Sequence, residues 1–264
     1  MKSLFFVVLL SLSFVVSAEG QTGQLIWSDE FNYEGKPDTA RWGFEMGDGC
    51  PTICGWGNNE LQYYTDDEKN VRVEDGKLII EAHREENMPY AYSSSKVVST
   101  GKGDWKYGYI EVRAKLPYGK GTWPAIWMLP TLDRKLDWPM DGEIDIMEHV
   151  GYNMGTVYGT IHTGKYNHRI GTQKSDSVEI ANIHKDFHVY AIDWGPEHIS
   201  WFVDGEKFYT VYKNGDNRDG WPFDSKFHLI LNIAVGGDWG GKYGVDNSIW
   251  PQRMEIDYIR VYEN

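Results

Sequence analysis

Cysteine is nearly absent from this chain, which has two in 264 residues, Cys50 and Cys54, both in the Gly-rich stretch GCPTICGWG. Two cysteines with no histidine nearby are too few for a closed zinc site. In an exported protein we expect a local disulfide between them, with free thiols as the alternative. The closed ring would be short, so it would stabilise the shape of the loop more than the fold.

Long apolar runs are also absent, except at the start of the chain. Residues 1–18, MKSLFFVVLLSLSFVVSA, have one lysine, a short apolar stretch and an exit in small residues. This pattern predicts a secretory signal peptide, and hence a secreted protein, extracellular or periplasmic. A membrane anchor is the alternative, but the run is shorter than the ~20 residues that a span needs. We therefore expect no membrane span in the mature chain.

Positive charge is scarce. Without residues 1–18 the chain has 25 basic and 39 acidic residues, a formal charge of −14. This charge argues against nucleic acid or an anionic membrane as the main partner and leaves a neutral substrate open. No repeat, low-complexity tract or linker divides residues 19–264, so we predict a single domain there. We also expect a monomer.

Short β-rich runs fill the chain, among them KLIIEAHRE, FHVYAIDW and KFHLILNIAV, and Gly, Asn, Asp or Pro bound them. Such regular runs predict an all-β fold, a sandwich or barrel of antiparallel strands. The pair Asp204-Gly205 lies between two alternating runs and predicts a tight hairpin turn. Twelve tryptophans and seventeen tyrosines are many for this length, so some aromatic surface is available to bind flat ligand faces.

The stretch DGEIDIMEHVG has three carboxylates, Glu143, Asp145 and Glu148, whose spacing fits neither regular structure. In a regular strand Glu148 would point away from the other two, and on a helix Asp145 would lie opposite Glu143. A β-bulge at Ile146-Met147 would absorb one residue and return Glu148 to their face. The alternative is a solvated acidic edge strand.

With the bulge, Glu143 and Glu148 lie four steps apart, about 13 Å along the backbone. Retaining glycosidases hold their carboxyl groups ~5–5.5 Å apart and inverting ones ~6.5–9.5 Å apart. The side chains would have to lean inward over Asp145, and the spacing does not select between the two outcomes. Like charges this close should raise at least one pKa, as a general acid near neutral pH requires.

GEIDIMEHVG, preceded by GKGTWPAIWMLP and YGYIEVRAKLP, resembles the laminarinase branch of glycoside hydrolase family 16. The resemblance extends from WSDEFN through WGNNELQYYT to MEIDYIRVY. It implies a β-jelly roll, a two-sheet antiparallel sandwich with a concave substrate cleft, and an endo-β-1,3-glucanase activity that needs no cofactor. Glu143 would be the nucleophile, Glu148 the general acid/base and Asp145 the group that orients Glu143, in a retaining double displacement.

Sugar contacts also follow from the resemblance. Asn58, Glu111 and Arg113 match family positions that contact sugar hydroxyls. Trp123 and Trp127 share a face if their strand is regular and could stack on a pyranose, with core packing as the alternative. Further expected cleft residues are Trp138, His162 and Trp239, the last in the Gly-flanked loop GGDWGG.

A structural calcium ion is a further implication of the resemblance. Backbone oxygens of Glu30 and Gly76 and the Asp257 side chain match a family calcium site remote from catalysis, and oxygen ligands suit that ion. An ordinary surface aspartate is the alternative.

Two other functions stay open at this point. One is an endo-hydrolase of mixed-linkage β-1,3-1,4-glucan or of a marine galactan. The other is a non-catalytic β-glucan-binding protein on the same fold, although such relatives typically lose the carboxylates that this chain keeps.

Overall fold

A computed structural model describes residues 23–264 of the chain. The predicted signal peptide, residues 1–18, and the next four residues lie outside the described part. Within residues 23–264, no helix has both the length and the apolar character needed to cross a membrane.

The described residues form eighteen strands and two short 3-10 turns, Cys54–Gly57 and His168–Ile170. The strands are β1 (Leu25–Asp29), β2 (Gly43–Phe44), β3 (Gln62–Tyr64), β4 (Val71–Glu74), β5 (Lys77–Arg84), β6 (Tyr92–Ser94), β7 (Lys96–Val98), β8 (Asp104–Trp105), β9 (Gly108–Lys115), β10 (Thr122–Pro130), β11 (Glu143–Glu148), β12 (Thr156–His162), β13 (Lys174–Glu179), β14 (His188–Trp194), β15 (His198–Val203), β16 (Glu206–Tyr212), β17 (Phe227–Val235) and β18 (Gln252–Tyr262).

These strands make two sheets. The ten-stranded sheet has the order β16-β15-β14-β9-β18-β5-β6-β3, with β1 beside β18 and β4 beside β5. The eight-stranded sheet has the order β13-β12-β11-β10-β17-β7-β2, with β8 beside β17. Across the described strands every pairing is antiparallel except that of β3 with β6. The predicted all-β, two-sheet antiparallel architecture is confirmed.

One apolar core lies between the two sheets, because alternate side chains of each strand point inward. Strand β9 of the larger sheet contributes Ile110, Val112 and Ala114, and β17 of the smaller sheet contributes Leu229, Leu231 and Ile233. Each is almost completely buried, and full burial of an Ile, Val or Leu side chain stabilises the fold by roughly 1.5–3 kcal/mol. The side chains between them face outward, so each sheet also has an outer face.

Trp201 of β15 ties the larger sheet to the smaller one. Its ring lies so close to Gly159 of β12 that a Cβ added there would be 2.5 Å from the ring. Its indole N–H donates to the backbone carbonyl of Asp145 in β11 over 2.8 Å. Only a glycine at position 159 leaves room for this ring. The hydrogen bond from Trp201 then fixes the backbone of β11 from the core side.

Two local predictions are confirmed. Asp204 and Gly205 turn between β15 and β16 with φ of 51° and 85°, as a tight hairpin of this pairing requires. Cys50 and Cys54 form a disulfide with their Cα atoms 4.2 Å apart.

Candidate active site

A β-bulge in strand β11 places the three acidic side chains on one face. Trp127 of β10 pairs with Asp145, but two positions earlier Ala125 pairs with Glu148, so β11 carries one extra residue. The same shift occurs against β12, between Asp145 and Glu148. Ile146 and Met147 are both buried in the core. The predicted bulge is confirmed, and Glu143, Asp145 and Glu148 form one line, which we call the carboxylate row.

The carboxylate row lies on the outer face of the eight-stranded sheet, which we call the site face. An indole holds each end of the row. Trp138 donates its N–H to Oε2 of Glu143 over 3.0 Å, and Trp123 donates to Oε1 of Glu148 over the same distance. An N–H donor stabilises the ionised carboxylate and fixes its orientation. Trp138 and Trp123 therefore lie beside the carboxylate row, and their contact with sugar stays a prediction.

The middle of the row is the most enclosed part. Asp145 is buried, and its Oδ2 lies 3.5 Å from Nε2 of His162, a buried residue of β12. The same imidazole nitrogen lies 3.7 Å from Oε1 of Glu143. Burial and the neighbouring His168 lower the pKa of His162 to about 3, so its ring is neutral. His162 thus lies against the carboxylate row, and its contact with substrate stays a prediction.

Burial raises the pKa of all three carboxyl groups, and Glu148 raises the pKa of Glu143 and Asp145 further. Three like charges so close in a dry environment cannot all form near neutral pH. The row therefore keeps a bound proton there, and its titration belongs to the group rather than to one residue.

Two charged residues that the sequence reasoning missed act on the pKa values of the end carboxyls. Lys96 of β7 lowers the pKa of Glu143, whereas Glu60 raises the pKa of Glu148. Both effects are smaller than that of burial, which raises the pKa of Glu143 to about 8 and that of Glu148 to about 7. The proton is therefore shared within the row, and Lys96 and Glu60 favour its movement from Glu143 toward Glu148.

Lys96 is unusual for a lysine because it is only 6% exposed. Its Nζ pairs with Glu45 at 2.7 Å and lies 4.2 Å from the ring centroid of Trp56 and 4.9 Å from that of Trp127. A cation over two aromatic faces is stabilised by their negative charge density. A single lysine in the run SSSKVV gives no sequence signal for such a site.

Trp127 shares the site face with Trp123 but is anchored differently. Its indole N–H donates to Oδ1 of Asn232 over 2.7 Å, and the Asn232 amide donates to the Tyr64 hydroxyl over 2.9 Å. The predicted common face of the two tryptophans is therefore confirmed. Their stacking on sugar stays a prediction.

Asn58 lies on the rim of the site face. Its side-chain amide donates to Oε1 of Glu60 over 3.1 Å, and its backbone carbonyl accepts the Asp238 backbone N–H over 2.8 Å. This second bond joins the loop of Asn58 to the loop of Trp239. The Asn58 amide thus orients Glu60, and the contact of Asn58 with sugar stays a prediction.

Aromatic side chains extend from both ends of the row. Trp239 packs edge-on against Trp123 and Tyr158, at 5.5 and 5.1 Å between ring centroids. It is half-buried rather than free on its loop. At the other end, Trp138 lies 5.1 Å from the His168 ring.

Two predicted sugar contacts, Glu111 and Arg113, are corrected by the structure. Both belong to β9 of the ten-stranded sheet and alternate with Ile110 and Val112, which point into the shared core. The core therefore separates them from the site face, which belongs to the other sheet. The match to family positions did not show the sheet to which these side chains belong.

On their own face these two residues have other partners. Glu111 accepts the Tyr262 hydroxyl over 3.3 Å. Arg113 pairs with Asp257 at 2.5 Å and lies over the Phe187 ring, 4.8 Å from its centroid. These contacts hold neighbouring strands of the outer face together.

The three residues expected at calcium meet at one junction of the ten-stranded sheet. Residues 252–256 of β18 pair with β5 and residues 259–262 pair with β1, so Asp257 lies where the neighbouring strand changes. Gly76 directly precedes β5 and Glu30 directly follows β1. Two backbone carbonyls and a carboxylate there are oxygen donors of the kind calcium prefers. The Asp257 carboxylate also pairs with Arg113, and calcium at this junction stays a prediction.

A buried aspartate two residues before β11, Asp141, was also missed from the sequence, and it fixes the loop that carries Trp138. Asp141 accepts two bonds from the Arg134 guanidinium, at 2.8 and 2.6 Å, and one from the Asp137 N–H at 2.8 Å. Arg218 adds a third cationic contact at 3.1 Å. We call Arg134, Asp137, Asp141 and Arg218 the Asp141 clamp.

Comparison with known proteins agrees with this geometry. Residues 56–260 match the family model described as Glycosyl hydrolases family 16. A β-glucanase of Rhodothermus marinus is 51% identical over 250 residues, 90% of this chain and 85% of its own. The X-ray structure of the laminarinase from Rhodothermus marinus superposes with a TM-score of 0.87 at 50% identity, covering 92% of this chain and 98% of that one. The structure of the laminarinase catalytic domain from Thermotoga maritima superposes with a TM-score of 0.84 at 44% identity, covering 92% of this chain and 99% of that one. The resemblance seen in the sequence is confirmed, and the chain belongs to glycoside hydrolase family 16.

Proposed function

We propose that the protein is an endo-β-1,3-glucanase that hydrolyses laminarin-type glucan with retention of anomeric configuration. The observation that carries this proposal is the carboxylate row, in which a bulge aligns two glutamates and one aspartate and an indole N–H fixes each end. Two carboxyl groups on one face, one to attack the anomeric carbon and one to protonate the departing oxygen, are what a double displacement requires.

In the first step Glu143 attacks the anomeric carbon while Glu148 protonates the departing glycosidic oxygen. The C–O bond to the leaving sugar breaks as the bond from Glu143 forms, which gives a covalent glycosyl-enzyme. Lys96 favours the anionic form of Glu143 that this step consumes, and Glu60 favours the protonated form of Glu148.

In the second step Glu148, now ionised, takes a proton from water, and the hydroxide equivalent displaces Glu143 from the anomeric carbon. Two inversions give net retention. Asp145 lies between the two glutamates, and its raised pKa, caused by burial and then by its two neighbours, lets it keep a proton while the charge on them changes.

The proposal extends to the surroundings of the enzyme. Residues 1–18 would direct export and be removed, and the mature chain would act as a monomer. Catalysis would draw on the carboxylate row and water, with calcium in a structural role at Glu30, Gly76 and Asp257. The signal pattern and the oxygen donors at the sheet junction support these parts.

Reducing-sugar release from laminarin, lichenan and agarose tests the substrate class. We expect fast release from laminarin, with a rapid fall in viscosity that marks internal cleavage. Preference for lichenan would indicate a mixed-linkage enzyme, preference for agarose a galactanase, and no release from any of them a binding protein.

Proton NMR of the first products tests the stereochemistry. We expect the β-anomer before mutarotation. The α-anomer as first product would contradict the double displacement.

A further inference from the structure

One imidazole nitrogen and two carboxylate oxygens converge at the Glu143 end of the carboxylate row. Nε2 of His162 lies 3.5 Å from Oδ2 of Asp145 and 3.7 Å from Oε1 of Glu143, and the three atoms lie within 4.8 Å of one another. Within residues 23–264, this is the one group of three or more His, Cys, Asp or Glu side chains with such convergence.

The converging atoms have no other partner. Asp145 is 3% exposed, yet its Oδ2 makes no hydrogen bond. Neither nitrogen of His162 makes a hydrogen bond in the described part of the chain, and its Nδ1 is a buried atom without a partner. Glu143 uses Oε2 for Trp138, which leaves Oε1 for the group. Burial of a polar atom without a hydrogen-bond partner costs folding free energy. A ligand bound to these atoms would remove that cost.

Their chemistry suits one class of ligand. Imidazole and carboxylate are both zinc ligands, at bond lengths of about 2.0–2.2 Å, and three protein ligands leave a fourth position open. The two carboxyl groups would release their protons when the ion binds. Tetrahedral bonds of that length place two ligand atoms about 3.4 Å apart, close to the observed 3.5 and 3.7 Å. Calcium and magnesium favour all-oxygen surroundings instead.

We propose that Glu143, Asp145 and His162 form a binding site for a divalent ion of the zinc class, and that the bound ion inhibits the enzyme. The ion would take the lone pair with which Glu143 attacks the sugar. Its open fourth position would face the side from which glucan enters. Metal and glucan would therefore compete for one place.

Calorimetric titration of the full mature chain, untagged, with zinc chloride tests the binding without substrate. Excess calcium in the buffer keeps the expected calcium site at Glu30, Gly76 and Asp257 filled, so that zinc does not bind there. We expect one zinc ion per chain. His162→Gln should weaken zinc binding by more than the ~10–100-fold that loss of a hydrogen-bond partner behind a metal ligand costs.

His198→Gln is the matched control, because His198 is also a histidine beside a carboxylate, 3.1 Å from Asp193, but belongs to the other sheet. Its zinc affinity should equal that of the wild type. Glu143→Gln is a second test variant in case His162→Gln does not fold. Cobalt supplies an independent signal, because a four-coordinate Co²⁺ site absorbs strongly in the visible range and the six-coordinate aqueous ion does not.

Three results would overturn the proposal: no zinc binding by the wild type, unchanged binding by His162→Gln and Glu143→Gln, or loss of binding in His198→Gln. Because calorimetry and absorption need no turnover, these results are independent of the proposed hydrolysis. Where laminarin is hydrolysed, zinc should raise the apparent KM and leave kcat unchanged. Inhibition that lowers kcat alone would contradict competition at Glu143.

Discussion

The indole N–H of Trp138 donates to Oε2 of Glu143 over 3.0 Å, and Trp138 lies in the loop between β10 and β11. Trp123 makes the corresponding bond to Glu148 from within β10. The two ends of the carboxylate row are therefore oriented by different means, one by the sheet and the other by a loop. The geometry at Glu143 depends on how firmly that loop is held.

The Asp141 clamp is what holds it. We expect Asp141→Asn to weaken the bidentate contact with Arg134, release the loop and loosen the bond from Trp138 to Glu143. The predicted result is a fall in kcat of about tenfold, equivalent to ~1.4 kcal/mol, with little change in KM. Since the indole N–H lowers the pKa of Glu143, the acidic limb of the kcat/KM profile should also move to higher pH.

Asp224→Asn is the control for this experiment. Asp224 accepts a bond from Tyr107 at 2.9 Å and pairs with Lys213 at 3.4 Å, and neither partner belongs to the Asp141 clamp. Its kinetics should match those of the wild type. A purely structural role of Asp141 would lower stability without moving the pH profile.

The sequence predicted the carboxylate row because its signal is local. Alternation of Ile144 and Ile146 with acidic residues, broken once at Met147, is sufficient to infer a strand with a bulge. Lys96 and Glu60 act on the row from other elements. Their effect depends on which strands become neighbours, and one sequence does not contain that pairing information in readable form.

Glu111 and Arg113 show the complementary failure. Along β9 they alternate with Ile110 and Val112, which point into the core. A sandwich has two outer faces, however, and alternation is identical on both. Which outer face carries the reaction is decided by the order of strands in the sheets.

The roles of the two glutamates can be separated with azide. We expect Glu148→Ala to lose ~10²–10⁴-fold in hydrolysis, the usual contribution of general acid–base catalysis. Azide should restore activity on an aryl glycoside by attacking the glycosyl-enzyme, and the product should be the β-glycosyl azide. Glu143→Ala should form no glycosyl-enzyme, so any azide product should have the α configuration. A β-azide from Glu143→Ala would reverse the assignment.

The raised pKa of Glu143 predicts a stability gain on its neutralisation. Burial and Glu148 raise its folded-state pKa, so the protonated form stabilises the fold, fully below the unfolded pKa of about 4.3. That contribution is lost as pH rises through the raised folded pKa. Glu143→Gln removes this pH-dependent loss of stability. We expect the free energy of unfolding to rise by at least ~1 kcal/mol near pH 8, since one pKa unit is about 1.4 kcal/mol.

Thermal unfolding followed by circular dichroism at about pH 4 and about pH 8 checks this prediction, and the gain should vanish at the lower pH. Glu74→Gln is the control. Glu74 is exposed, and its ion pair with Arg72 lowers its pKa. It should show no gain at either pH. A stability difference for Glu143→Gln that is the same at both pH values would contradict the electrostatic explanation.

The bulge itself can be tested by deletion. Because Ile146 and Met147 together occupy one step of the strand, deletion of Met147 should give a regular strand in which all three acidic side chains still face the same way. Deletion of both residues should instead turn Glu148 toward the core. We expect the single deletion to keep measurable activity and the double deletion to lose it.

Loss of Met147, which is fully buried, should leave a cavity and cost ~2–5 kcal/mol, the range for truncating a large core side chain. Met147→Ala is the matched control, because it leaves the same cavity with the bulge intact. Equal stability and different kinetics in the two variants would assign the kinetic change to the bulge. A fully inactive single deletion that folds as well as Met147→Ala would show that the bulge sets the distance between Glu143 and Glu148 as well as their common face.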